Sequence, residues 1–137
     1  MNIPEGYIYE PSPSAFPNHI GKLFQKPRTV IDGIETAWVA MHVEEHHVNA
    51  WGLAHGALMA SLAEMGTASA AWDPEGPPVV AIEMSMQYIK APKLGQLIEV
   101  CGTCTRRTRS IVFSEAKAYV EGELVFSATS VQKIINA

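Results

Sequence analysis

The sequence lacks the features that mark several specialised classes of protein. Its net charge is only −4, which argues against a general nucleic-acid binder. No apolar run is long and pure enough to span a membrane, and the N-terminus has no basic stretch followed by an apolar one, as a signal peptide has. We therefore expect a cytoplasmic protein that binds neither nucleic acid nor membrane.

Cysteine is scarce, and the histidines do not form a recognisable metal motif. Cys101 and Cys104 lie in a strand-like run, where residues three apart point to opposite faces, so we expect reduced structural cysteines. The segment from His42 to His46 matches the inverted zinc-peptidase pattern H-x-x-E-H, but that pattern needs a helix. Because this segment straddles a strand end and a loop, we predict no metal site.

The composition that remains is typical of a globular domain, with 47% hydrophobic and 18% charged residues among 137. This length suits one domain with a real core. Prolines 4, 11, 13 and 17 predict an irregular arm over residues 1–20, in which Phe16, with Phe24 beyond it, covers an apolar pocket or simply packs. Residues 21–137 form the predicted domain, with a short helix or edge strand at 21–25 and a loop at 26–29.

The rest of the chain is organised around the stretch from Asn49 to Trp72. From Leu53 it predicts a helix of about five turns, apolar or small on every side, and such a helix is buried. Its single charge, Glu64, is unusual, because a buried carboxylate generally has a partner or a task. The small residues allow a sheet or a second helix to approach closely; they are Ala57, Ala60, Ser61, Ala63, Gly66, Ala68, Ser69, Ala70 and Ala71.

The start of this helix is a candidate catalytic site. Its unpaired N–H groups and partial positive charge suit a developing oxyanion near Gly56. Glu64 is eight residues further on, about 12 Å along the axis, which is too far to act on the same atom. Two antiparallel helices would bring each Glu64 to the other chain's helix start. The alternative is a structural hydrogen bond of Glu64 in a buried interface.

Strands account for most of the remaining sequence. Residues 79–90 alternate, which predicts a buried face with Val80, Ile82, Met84, Met86 and Tyr88. One strand before the helix and four after it, joined by short turns, predict an α+β fold with an antiparallel sheet packed on the helix. The predicted strands span 34–43, 79–90, 97–105, 110–120 and 124–134.

These residues carry a resemblance to a known family. With Asn49, Gly52, His55 and Gly56 before the helix and an acid nine residues after the histidine, the chain resembles the hotdog-fold acyl-CoA thioesterases over roughly residues 20–135. It is most similar to the phenylacetate-degradation type, related to 4-hydroxybenzoyl-CoA thioesterases. Further matches are the strand and turn at 86–95 and the run at 108–113.

The resemblance implies a sheet of five to six strands wrapped around one long central helix. It implies hydrolysis of an acyl-CoA to a carboxylic acid and free coenzyme A, in a homodimer that pairs into a homotetramer. No cofactor is expected, since coenzyme A is part of the substrate.

The resemblance also implies the role of each site residue. The Gly56 N–H would polarise the thioester carbonyl, and Asn49 would assist by hydrogen bonding to the carbonyl or the water. Glu64 of the partner chain would act as general base or nucleophile. His55 would orient the loop or contact the thioester and leaving group.

Two positions depart from the family pattern. Ala57 stands where many members have glycine, and Ala81 where many have a serine or threonine that holds the water; Thr67 or Ser61 is a candidate substitute. The candidates for coenzyme A phosphates, which arginine forks suit, are Lys90, Lys93, Arg106, Arg107 and Arg109.

Two other functions remain open at this point. A hotdog dehydratase or hydratase usually has a Pro-Gly element before the helix, where this chain has Ala54-His-Gly-Ala57. A non-catalytic acyl-CoA-binding or sensing protein would keep the pocket but lose the acid, whereas this chain has Glu64. The acyl group, whether aryl, short-chain or medium-chain, is left open by the sequence.

Overall fold

The structure, a computed structural model, describes residues 2–136. Within this range the chain forms seven strands and two α-helices. In chain order they are β1 (Ile8–Tyr9), α1 (Ala15–Ile20), β2 (Phe24–Ile31), β3 (Ile34–His42), α2 (Gly56–Ala71), β4 (Val79–Tyr88), β5 (Leu97–Arg107), β6 (Ile111–Val120) and β7 (Glu123–Ile134).

All seven strands belong to one antiparallel sheet, in the order β1-β2-β3-β5-β6-β7-β4. The helix α2 packs against one face of this sheet, where Leu62 and Ala63 are fully buried among Ile98 and Val100. The predicted α+β architecture with a single long helix is confirmed. The sheet has seven strands rather than five to six, because β1 and a full-length β2 extend it at the N-terminal edge.

The N-terminal region is more regular than the sequence analysis predicted. The arm contains the six-residue helix α1, and Pro17 is its third residue. A proline in the first turn lacks an N–H that would have no helical partner anyway, so the helix tolerates it. The predicted loop at residues 26–29 is also wrong, since β2 runs through Pro27 with a register shift between Lys26 and Thr29. A bulge is one of the few places in a sheet that accepts proline.

The long helix starts later than predicted, at Gly56 instead of Leu53. The residues before it are held in bridges, Ala54 to Val48 and Leu53 to Lys93, which leave them no helical hydrogen bonds. The helix ends at Ala71, just before the predicted stop signal. No helix in the described part of the chain is both long and apolar enough to cross a membrane.

Two glycines set how closely α2 approaches the sheet. A Cβ on Gly102 of β5 would lie 2.3 Å from the carbonyl oxygen of Gly66 in α2. A Cβ on Gly66 would lie 2.6 Å from Cγ1 of Val100. Backbone therefore meets backbone at this point, and the contact fixes the helix axis over β5.

Strand β4 lies at one edge of the sheet, where it pairs with β7 and has a register shift between Ala81 and Glu83. Paired residues of antiparallel strands share a face, so the shift turns Ala81, opposite the buried Gln132, toward the helix side. The predicted buried face is therefore interrupted, because the alternation assumed an unbroken strand. Met84 and Met86 pack against the core, but Val80, Ile82 and Tyr88 are about half exposed.

Candidate active site

The loop before α2 is organised by the side chain of Asn49. Its Oδ1 accepts hydrogen bonds from the N–H groups of Trp51 (2.9 Å) and Leu53 (3.1 Å). The positive φ of Gly52, +74°, allows the tight turn between them. Because Oδ1 is the acceptor of both bonds, the amide orientation is fixed and Nδ2 remains as a donor for another acceptor.

One backbone N–H group at the start of α2, that of Gly56, makes no hydrogen bond within the described residues. His55 is the N-cap, and its Nδ1 accepts a hydrogen bond from the N–H of Ala57 at 3.0 Å. The N–H of Leu58 donates to the His55 carbonyl. Unlike these two groups, the Gly56 N–H donates no hydrogen bond within residues 2–136. That N–H, at the positive end of the helix, is therefore available for an oxyanion.

The same hydrogen bond determines which proton His55 can offer. Since Nδ1 accepts from Ala57, the neutral imidazole carries its proton on Nε2. In this tautomer the Nε2 N–H of His55 is available to a hydrogen-bond acceptor. The arrangement favours a role for His55 in holding the helix start and contacting the substrate, and it leaves the role of base to another group.

A cavity of about 300 Å³ opens beside Gly56. The ring of Tyr88 forms one wall, placed so that a Cβ on Gly56 would lie 3.5 Å from Tyr88 Cε1. The sequence analysis placed Tyr88 in β4 but did not connect it with the site, because the two are distant in the chain. The other lining residues are Ala54, Met59, Ile89, Lys90 and Ala91.

Glu64 lies on a stripe of α2 that the sheet does not cover. Ala57, Ser61 and Glu64 follow one another at helical spacing, and Ala57 and Glu64 are exposed in the single chain while Ser61 is half-buried. Partial desolvation by its surroundings nevertheless raises the pKa of the Glu64 carboxyl above its ordinary value. A carboxylate with a raised pKa is a better base than an ordinary glutamate.

The residues proposed to replace the missing strand hydroxyl are already engaged. Thr67 is fully buried, and its hydroxyl donates back to the carbonyl of Ala63 at 2.9 Å. The hydroxyl of Ser61 donates to the carbonyl of Ala57 at 2.8 Å. For Thr67 to hold the water or contact the substrate, its side chain would have to leave the core. Ala57, in contrast, is accessible at the helix start.

The predicted coenzyme A contacts divide between the two ends of α2. Lys90 lines the cavity at Gly56 and forms an ion pair with Glu123, while Lys93 is bridged to Leu53 in the loop before the helix. Arg107 lies at the far end, where its guanidinium donates to the carbonyl of Ala71. Arg109 follows two residues later in the exposed turn after β5.

His46, the last residue of the H-x-x-E-H pattern, and the adjacent His47 lie just beyond the end of β3. They lie at a 3₁₀ helix, Glu45–His47, and together with Glu44 form a group of possible ligands within 4.8 Å of one another. Both imidazoles approach the carbonyl oxygen of Ile20, with His46 Nε2 at 2.6 Å, and His47 Nδ1 accepts from the Glu44 N–H. Both nitrogens of His47 are thus satisfied by the backbone, which is a structural role.

Comparison with known proteins was made for sequence and for structure. The Thioesterase superfamily model matches residues 52–127, more than half of the chain. A putative esterase of Pseudomonas aeruginosa is 29% identical over 135 residues, 96% of each chain. Human acyl-coenzyme A thioesterase 13 is 32% identical over 75 residues, 54% of each chain. A phenylacetic acid degradation protein of Thermus thermophilus, 24% identical, shares the fold with a TM-score of 0.74 over 89% of this chain and 100% of that one.

Proposed function

Because the chain belongs to the thioesterase superfamily and is a hydrolase of thioester bonds, we propose that its substrate is an acyl-CoA and that two copies form each active site. Acyl-coenzyme A is the substrate in the name of the human relative. The observation that carries the proposal is the free N–H of Gly56 at a helix start, combined with an accessible Glu64 of raised pKa on the same helix.

The reaction follows from the donors and the acceptor described above. The thioester oxygen accepts a hydrogen bond from the Gly56 N–H, and the Asn49 Nδ2 supplies a second donor. Water attacks the carbonyl carbon while Glu64 takes its proton, and negative charge on the oxygen is stabilised at the helix N-terminus. The C–S bond then breaks, and coenzyme A leaves as a thiolate, which needs little help from an acid. The proton held by Glu64 passes to that thiolate or to water, which restores the carboxylate as the carboxylic acid product is released.

Within a single chain, the proposed oxyanion donor and the proposed base are too far apart to act on the same substrate. Gly56 and Glu64 are separated by about 12 Å along α2. The exposed stripe of α2 consists of small residues apart from Glu64, so a second helix can lie against it. Strand β4 also lies at an edge of the sheet, with half-exposed Val80, Ile82 and Tyr88. Antiparallel association of two copies would bring the partner's Glu64 to Gly56.

The same association would complete the surface for coenzyme A. Lys90 and Lys93 lie near Gly56, and Arg107 and Arg109 lie at the other end of the helix. In an antiparallel pair the arginines of one copy approach the helix start of the other. Cations from both chains would then face the phosphates of one substrate.

The test is release of free thiol from a panel of acyl-CoAs by the wild type and by Glu64→Gln. We expect turnover by the wild type and a loss of at least about 100-fold in kcat for the variant, since general acid–base groups contribute about 10²–10⁴. Glutamine is nearly isosteric, so folding should be unchanged, as circular dichroism would show.

Two outcomes would contradict the proposal. If Glu64→Gln hydrolyses acyl-CoAs at the wild-type rate, Glu64 is not the general base. If the wild type binds acyl-CoAs without hydrolysing any of them, the protein is an acyl-CoA-binding protein. The first variants to test for activity would then be Ala57→Gly and Ala81→Ser.

A further inference from the structure

A second cavity, of about 330 Å³, separates the N-terminal arm from the start of α2. We call it the arm groove. One wall is α1, and the opposite wall is the first two turns of α2. The residues that line it are Phe16, Ile20, His46, His47, Val48, His55, Ala57, Leu58 and Ser61.

The arm groove offers an apolar surface with few free polar groups. The imidazoles of His46 and His47 approach the Ile20 carbonyl, and the Ser61 hydroxyl donates to the backbone. Within residues 2–136, no lysine, arginine or carboxylate lines the groove. Phe16 stands at the rim with 56% of its surface exposed, so its ring can contact a molecule bound there. These properties suit an uncharged, apolar ligand.

The arm is anchored to the domain, so its wall is a fixed part of the groove. Besides the histidine contacts with Ile20, the next residue, Gly21, is closely surrounded. A Cβ there would lie 3.1 Å from Met41 Sδ and 3.2 Å from Glu44 Oε2. Strand β1 adds a second attachment by pairing with β2. The carbonyl end of α1 is therefore held against the 3₁₀ helix while Phe16, one turn earlier, projects at the rim.

The arm groove adjoins the proposed site. His55 and Ala57, which flank Gly56, lie in its wall, and so does Ser61 of the stripe that carries Glu64. In the proposed dimer the partner's helix would therefore border the groove on that side. Lys90 lies on the other side of Gly56, in the cavity formed with Tyr88. A thioester bound at the Gly56 N–H would therefore have the Lys90 ammonium group on one side and the apolar arm groove on the other.

We propose that the arm groove binds the acyl group and that Phe16 determines its size. This inference rests on the proposed function and assigns the substrate class: an uncharged apolar acyl group that is compact, because about 330 Å³ is near the lower end of the range of roughly 300–1,000 Å³ for small-molecule pockets. Four of the residues that line the groove lie outside the span that the family model matches, residues 52–127: Phe16, Ile20, His46 and His47.

The experiment compares Phe16→Ala and Phe16→Trp with the wild type on straight-chain acyl-CoAs of increasing length and on one aryl-CoA. We expect Phe16→Ala to shift the ratio of kcat/KM for long over short chains upward by roughly tenfold or more, since each methylene in an apolar pocket is worth about that much. Phe16→Trp should shift it downward. Phe113→Ala, also a partly exposed phenylalanine but on the sheet, is the matched control and should leave the ratio unchanged.

A second readout separates this inference from the proposed reaction. Affinities of non-hydrolysable acyl-CoA thioethers are measured with the same variants, and Phe16→Ala should favour the longer chains in binding as in turnover. Hydrolysis with identical chain-length profiles in the wild type and both Phe16 variants would overturn the inference and leave the proposed function standing. Absence of hydrolysis would overturn the proposed function, and thioether affinities would still decide the role of Phe16.

Discussion

At the scale of single residues, the position of Glu64 makes a prediction about pH. Its carboxyl has a pKa raised by desolvation, and a general base works only when it is ionised. Activity should therefore be full above that pKa and should fall as the pH decreases through it, at a pH higher than for an ordinary glutamate. The profile of kcat/KM against pH measures this directly.

The matched control is the residual activity of Glu64→Gln. Its pH profile should lack the acidic limb that the wild type shows. If the variant retains the same limb, the titrating group is not Glu64. A limb at the pH of an ordinary glutamate in the wild type would show that the carboxylate is better hydrated in solution than the structure indicates.

The site residues differed in how readily the sequence revealed them. Glu64 stands out as the one charge in an apolar helix, and the cluster from Asn49 to Gly56 precedes that helix directly. Tyr88 and His47 gave no such signal, because their contacts with Gly56 and Ile20 join segments far apart in the chain. A local sequence pattern identifies a residue that is unusual among its neighbours in the chain. It does not identify a residue whose contacts come from distant segments that meet only in the folded protein.

At the scale of elements, the contact between α2 and β5 predicts a large effect of a single methyl group. In Gly102→Ala the new Cβ would lie 2.3 Å from the Gly66 carbonyl oxygen, which is backbone and cannot rotate away. Overpacking of this kind costs about 1–3 kcal/mol. We expect the free energy of unfolding in urea to fall by at least this amount.

The neighbouring glycine provides the control. In Gly66→Ala the nearest atom, at 2.6 Å, is Cγ1 of Val100, part of a side chain that can be shortened. Val100→Ala should therefore recover part of the stability lost in Gly66→Ala and should not do so for Gly102→Ala. Equal recovery in both double variants would show that the closest contact is not with backbone.

The elements that were predicted correctly have strong periodic patterns. Strands β5, β6 and β7 begin and end within two residues of their predicted bounds. The errors lie where a bulge or a proline position overrides the pattern. The register shift after Ala81 interrupts the alternation of β4, and Pro27 fits a bulge of β2. Such local irregularities depend on the neighbouring strand, which the sequence of one segment does not describe.

At the scale of the whole molecule, the proposed shared site predicts complementation between two inactive variants. Glu64→Gln keeps an intact helix start, and Asn49→Ala keeps an intact base. If the two chains are unfolded together and refolded in equal amounts, random pairing should restore about a quarter of the wild-type activity, because half of the dimers then contain one complete site of two.

The control is each variant refolded alone, which should remain inactive. A mixture no more active than its components, with mixed dimers demonstrated by native mass spectrometry, would place both groups of each site in one chain. The same spectra report whether the dimer and tetramer that the family resemblance implies are formed.

The glycine contact beneath α2 has a consequence for how such a molecule could change over evolutionary time. Because Gly66 and Gly102 hold the helix axis on β5, the height of the Gly56 N–H above the sheet has little freedom to vary. The arm, in contrast, meets the domain at the Ile20 carbonyl, through the β1–β2 pairing and through the buried Tyr7, whose hydroxyl donates to Glu99 of β5. None of these contacts involves Gly66 or Gly102. If the arm groove binds the acyl group as proposed, substitutions in the first twenty residues would change which acyl group is preferred while the Gly56 N–H keeps its position.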